Sequence, residues 1–139
     1  VKTLILLSLA PLLCCAAAPY GSIEIAVDSV RSARGKVHVD ICTRTTFLKD
    51  CPYSGDAPAH NGTTIVVVPN VPPGRYAAQA FHDKNGNGKV DRGLFGIPKE
   101  GVGFSNNALK MSEPKFDAAA FDHDGHDQKI AFELKYFFG

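Results

Sequence analysis

Asp83, Asn85 and Asn87 stand two residues apart, Gly88 follows, and Asp91 closes the run Asp83-Lys84-Asn85-Gly86-Asn87-Gly88-Lys89-Val90-Asp91. Oxygen-bearing side chains on alternate residues of a turning backbone converge on one centre, and that is how hard cations such as Ca2+ are held. The pattern D-x-N-x-N-G-x-V-D fills the first nine places of an EF-hand-type loop. In this reading Asp83, Asn85 and Asn87 supply side-chain oxygens and Gly88 makes the sharp bend. Lys89 offers its carbonyl, Asp91 a carboxylate, directly or through water, and Val90 packs inward. The twelfth place, where a full loop carries a bidentate Glu, is Leu94. Two carboxylates imply weak binding, at about 10⁻⁴–10⁻³ M, unless Glu100, Asp117 or Asp122 joins. Mg2+ fits less well, since it keeps more of its water. The rival reading needs no ion: Asn and Asp bond their own backbone and Gly takes positive φ, a set of Asx turns.

The five histidines are His38, His60, His82, His123 and His126. His82 adjoins Asp83 at a strand end and is read first as a structural hydrogen-bonder. A small metal-dependent enzyme using His82, Asp83 and Glu100 is one rival, and it requires those side chains to meet in one concave pocket. Transition-metal binding by the turn His123-Asp124-Gly125-His126-Asp127 is another. Catalytic signatures are absent. Ser105 in Gly103-Phe104-Ser105-Asn106-Asn107 is no nucleophile elbow, and neither a phosphate loop nor a dinucleotide fingerprint occurs. No enzymatic activity is expected.

The elements that position these residues are strands. Ile23, Ile25 and Val27 alternate with Glu24, Ala26 and Asp28, and Val37, Val39 and Ile41 with His38, Asp40 and Cys42. Thr64–Val68, Tyr76–His82 and Ile130–Tyr136 show the same period or β-branched character. Ser32–Gly35 reads as a hairpin turn, and Pro72-Pro73-Gly74 as a type II turn with Gly74 at positive φ. One short helix is expected over Pro114–Phe121. About five strands in some 120 residues predict an all-β protein, a single antiparallel β-sandwich. Between His82 and Lys129 lies a long Gly-rich segment, expected to be ordered by its aromatic and aliphatic anchors.

The chain has 139 residues, enough for one domain. Lys2, the apolar run Leu4–Leu13 and the small residues Cys14–Ala18 form the layout of a signal peptide over 1–18, leaving a sandwich domain over 19–139. The apolar run is too short to span a bilayer. Export to the periplasm or the extracellular space is expected. A lipoprotein anchor is less favoured, because neither Cys14 nor Cys15 has a good lipobox. Without 1–18, 14 basic side chains face 14 acidic ones, so charge argues against nucleic acid or an anionic membrane as partner. Cys42 and Cys51 are an even pair and are expected to form a disulfide in an oxidising compartment.

The stretches Pro73-Gly74-Arg75-Tyr76-Ala77, Phe81–Asp91, Gly96-Ile97-Pro98-Lys99-Glu100-Gly101 and Gly103–Asn107 together resemble the bacterial exported family catalogued as domain of unknown function 2141 (DUF2141). The resemblance covers most of the mature chain. It implies an envelope or secreted protein with a sandwich of prealbumin-like or carboxypeptidase-regulatory-like, Greek-key type. It implies no activity and no catalytic residue. The combined expectation is a non-enzymatic module whose long loop, held by Ca2+ or by Asx turns, presents Lys99, Glu100, Phe104, Ser105, Asn106 and Asn107, with His82 nearby, to an envelope partner or small ligand.

Overall fold

The computed structural model describes residues 20–93 and 96–137. The expected signal peptide and Leu94 lie outside the described residues. Eight strands run in the order β1 (Ile23–Val30), β2 (Lys36–Cys42), β3 (Tyr53–Pro58), β4 (Gly62–Val68), β5 (Gly74–Asp83), β6 (Val102–Phe104), β7 (Phe121–His123) and β8 (Gln128–Glu133). A one-turn helix α1 (Phe116–Ala119) precedes β7. One sheet has the order β4-β1-β8. The other runs β3-β2-β5-β6, with β7 paired to the start of β5.

The two sheets face each other, as an all-β sandwich requires. Period-two burial makes the core. Ile23, Ile25 and Val27 from β1 meet Val37, Val39 and Ile41 from β2, with Val66, Val68, Ala78, Ala80 and Phe132 filling between them. Alternation places Lys36, His38 and Asp40 of β2, and Ala77, Gln79, Phe81 and Asp83 of β5, on the outer face of the five-stranded sheet.

That outer face carries its own covering. Phe47, Phe104, Ala108, Phe116 and Ala119 pack over Cys42 and Ala77 as a second apolar cluster. Phe47 meets Phe104 and Phe116 edge-on, at centroid distances of 5.8 and 5.9 Å. The Cys42–Cys51 disulfide closes the adjacent loop as expected. Gln79 ties this loop to the sheet: its Oε1 accepts from the Leu48 N–H (3.0 Å) and its Nε2 donates to the Lys49 carbonyl (3.3 Å).

Three local expectations are corrected. Ser32–Gly35 is no hairpin turn, because β1 pairs with β4 and β8 while β2 pairs with β3 and β5, so the link crosses between sheets. Gly35 is at φ 69°, and a Cβ there would come within 2.1 Å of the Asp83 carbonyl oxygen. Gly74 begins β5, and it is Asn70 that takes the left-handed conformation, at φ 55°. The Tyr76 hydroxyl donates to the Pro72 carbonyl (2.8 Å) and so fixes the corner. Within the otherwise antiparallel sandwich, β8 runs parallel to β1. Its approach from the Gly-rich excursion, not from a hairpin, permits that direction.

Candidate functional site: an Asx loop and the groove it borders

Asp83 is the last residue of β5, on the outer face and fully buried. The chain then turns back over it. Asp83 Oδ1 accepts the Asn87 N–H (3.2 Å) and Oδ2 the Gly88 N–H (2.9 Å). Gly86 and Gly88, at φ 69° and 77°, supply the left-handed turns the loop needs. Asn85 Oδ1 accepts the Asn87 N–H (3.3 Å), and Asn87 Oδ1 accepts the Lys89 N–H (3.1 Å). The two amide nitrogens converge on Asp91: Asn85 Nδ2 donates to Oδ2 and Asn87 Nδ2 to Oδ1, each at 2.8 Å. Those donors, Asn87 first and then Asn85, hold the Asp91 carboxyl below the usual carboxylate range. Val90 is half-buried.

Glu100 joins the two ends of this loop. It is 5% exposed, its Oε2 accepts the Lys84 N–H (2.9 Å), and its Oε1 accepts the Asp91 N–H (2.9 Å). Burial raises its carboxyl above the ordinary range, outweighing the two N–H bonds, and the neighbouring Asp91 charge pushes the same way. The Lys99 N–H donates to the Asp91 carbonyl (2.7 Å), closing the ribbon. Thus Asp83, Asn85, Asn87, Asp91 and Glu100 form one knot, while Asp117 and Asp122 pair elsewhere, with Arg44 and Arg75. Among the described residues, no three His, Cys, Asp or Glu side chains stand together as a metal-binding group.

His82 is turned the other way, into the sandwich. Its Nε2–H donates to the Arg34 carbonyl (2.7 Å), and its Nδ1 accepts from the Tyr136 hydroxyl (3.0 Å), which in turn accepts the Arg31 N–H (3.1 Å). Burial pushes its pKa down, so it is a neutral latch between the β1–β2 link and the C-terminal segment. Neighbouring strand residues point to opposite faces. His82 and Asp83 therefore diverge, and the pocket needed by the enzyme reading with His82, Asp83 and Glu100 does not form.

His123 is buried with Nδ1 against Gln128 Oε1 (2.6 Å) and Nε2 against the Val71 carbonyl (2.9 Å), whereas His126 is exposed beside Asp124. The pair does not converge on a common centre.

Half of the segment expected to face a partner is turned inward, at Glu100, Phe104 and Ser105. Phe104 belongs to the second apolar cluster. The Ser105 hydroxyl accepts the Ala78 N–H and donates to the Ala119 carbonyl. Asn106 Nδ2 reaches the Ala118 and Ala120 carbonyls, and Asn107 Oδ1 accepts the Glu133 N–H. These side chains pin α1, β6 and β8 together, while Lys99, Asn106 and Asn107 remain exposed.

The sequence reading missed what lies between the loop and the second apolar cluster. An open groove of about 1130 Å³ crosses the outer face, floored by His38, Asp40, Gln79 and Phe81 and walled by Gly88–Val90, Arg92 and Gly96–Pro98 on one side and the Leu109–Pro114 segment on another. His38 lies between two carboxylates, with Nε2 at 2.9 Å from Asp40 Oδ1 and Nδ1 at 2.8 Å from Asp56 Oδ1. The Asp40 bond above all raises its pKa to about 8, so the ring is an imidazolium at neutral pH with both N–H groups engaged. Asp40 Oδ2 accepts from Gln79 Nε2 (3.2 Å). The available signal was the i, i+2 spacing of His38 and Asp40 on one strand face. Asp56 was invisible because β3 was not foreseen.

Fold and site define an all-β sandwich with an acid-braced Asx loop on one outer face. The chain belongs to the family of uncharacterized proteins conserved in bacteria (DUF2141), which it matches over residues 25–131. No curated protein and no solved structure matches it. Among the described residues no helix is long and apolar enough to cross a membrane.

Proposed function

We propose that this chain is a non-enzymatic binding module of the periplasm or cell exterior, whose Asp83–Asp91 loop takes Ca2+ weakly and thereby stiffens one wall of a ligand groove. The observation that carries the reading is the Glu100 carboxylate bonded to both loop ends, at Lys84 and Asp91. It holds the oxygen-bearing side chains in register before any ion arrives. The donor set suits a hard cation: two carboxylates, the Asn85 and Asn87 amide oxygens and the Lys89 carbonyl. Both amides now direct nitrogen to Asp91, so a cation replaces existing hydrogen bonds rather than filling a void. That exchange keeps affinity low, at about 10⁻³ M. The signal layout of residues 1–18 and the Cys42–Cys51 bridge support export.

The test is thermal melting and calorimetric titration of chelator-treated protein with CaCl2. At about ten times the dissociation constant, linkage gives about 1.4 kcal/mol of stabilisation, or a few degrees in Tm. Asp91→Ala, at a half-buried carboxylate, should abolish the rise. A Tm unmoved at 10-fold higher Ca2+, about 100 mM, or a rise that survives Asp91→Ala, rejects the calcium reading.

A further inference from the structure

Among the described residues, four of the seven large hydrophobic side chains left exposed, Leu48, Ile97, Met111 and Phe137, line the groove over the outer sheet face. Scattered exposed apolar residues are ordinary, but their concentration in one concavity marks a binding surface. The walls differ in charge. The wall formed by Gly88–Val90, Arg92 and Gly96–Pro98 contributes Lys89 and Arg92 and no carboxylate to the lining, whereas Asp50, Lys110 and Glu113 stand on the other sides and nearly balance. Among the described residues neither Lys89 nor Arg92 has a carboxylate within 4.0 Å, and Arg92 makes one bond, to the Gly96 carbonyl (2.8 Å). The floor is not free to bind a charged head, since His38, Asp40 and Gln79 already satisfy one another.

We propose that the groove binds a small amphiphilic anion, its acidic head on Lys89 and Arg92 and its apolar body along Ile97, Phe81 and Met111. The inference rests on the reading of this face as a ligand site and adds the ligand's chemistry. Two cations beside an apolar wall match one acidic head on an apolar body, and an amphiphilic cation would meet like charge there. The floor's closed hydrogen-bond set suits the apolar part, which asks nothing of it.

The test uses anilinonaphthalene sulfonate fluorescence with octanesulfonate and octyltrimethylammonium as competitors. The folded protein should enhance the dye's emission, octanesulfonate should displace it, and octyltrimethylammonium should not. Lys89→Gln with Arg92→Gln should raise the dissociation constant of the dye about fivefold or more without changing Tm. Ile97→Ser should weaken binding independently of charge. Equal displacement by both competitors, no enhancement by the folded protein, or full binding by the double variant overturns the proposal. So does binding confined to phosphatidylglycerol vesicles, which would make the surface a membrane contact. Calcium melts run separately keep the two readings apart. A Ca2+-dependent Tm without dye binding removes this ligand alone, and dye binding without a calcium effect removes the metal alone.

Discussion

Glu100 holds the loop at both ends, and its removal should be felt there first. Glu100→Ala leaves the Lys84 and Asp91 N–H groups without their acceptor and should cost about 1–3 kcal/mol. Denaturant unfolding measures the loss, and amide exchange should speed up at Lys84 and Asp91 before it does in β1. Glu100→Gln keeps one acceptor oxygen and should lose less. His38 gives a pH signature. Its folded pKa of about 8 exceeds the unfolded 6.5, so its stabilisation is complete below pH 6.5 and disappears as pH rises through about 8. The side chain is 22% exposed and partly screened, which reduces the effect to about 1 kcal/mol. Tm should therefore fall between pH 6 and pH 9, and His38→Gln should flatten that part of the profile.

At the scale of elements, the Thr43–Asp50 loop depends on the Cys42–Cys51 bridge and on Gln79. Reduction should cost about 2–3 kcal/mol, read as a lower Tm with reductant that the Cys42→Ala/Cys51→Ala double variant reproduces. The same loop carries Phe47 onto Phe104 and Phe116, so near-ultraviolet dichroism from the aromatic cluster should weaken with it. The β1–β2 link is constrained by contact instead. Gly35→Ala combines a positive φ with a Cβ against the Asp83 carbonyl and should destabilise by on the order of 2–3 kcal/mol. That variant also displaces the start of the Asx loop, so it should lower any calcium-dependent rise in Tm.

For the whole molecule, two apolar clusters lie on opposite sides of one sheet. The sandwich core is made by β1, β2, β4, β5 and β8, while the outer cluster and the acid-braced loop flank an open groove. Phe132→Ala, at a fully buried position between the sheets, should cost about 3–5 kcal/mol and lower the Tm of the entire domain cooperatively. Proteolysis should behave differently. Cleavage within residues 84–93 reports loop opening rather than global unfolding, and it should slow in Ca2+ while the Phe132→Ala Tm is limited by the core.

The strands β1, β2, β4 and β5 were legible because alternation is a property of the local backbone: every second side chain must face the same way. The Asp83–Asp91 run was legible for the same reason, since the bonds within it join residues at most six apart, whereas its brace from Glu100 was not. β3 was not. Tyr-Ser-Gly-Asp-Ala-Pro has no β-branched residue, and it is a strand because β2 offers a free edge and Gly55 lets the Val67 carbonyl approach. The inward turn of Phe104 and Ser105, the His82–Tyr136 latch and the His38–Asp40–Asp56 trio likewise depend on partners from other segments. Sequence alone therefore determined which face each strand residue takes and which short loop could gather oxygens. Tertiary structure decided which strands are neighbours, that β8 lies parallel to β1 across some 100 residues of chain, and that a groove opens beside the loop. Side-chain direction is set by the torsions of adjacent residues, whereas pairing is set by competition among distant edges for the same hydrogen bonds.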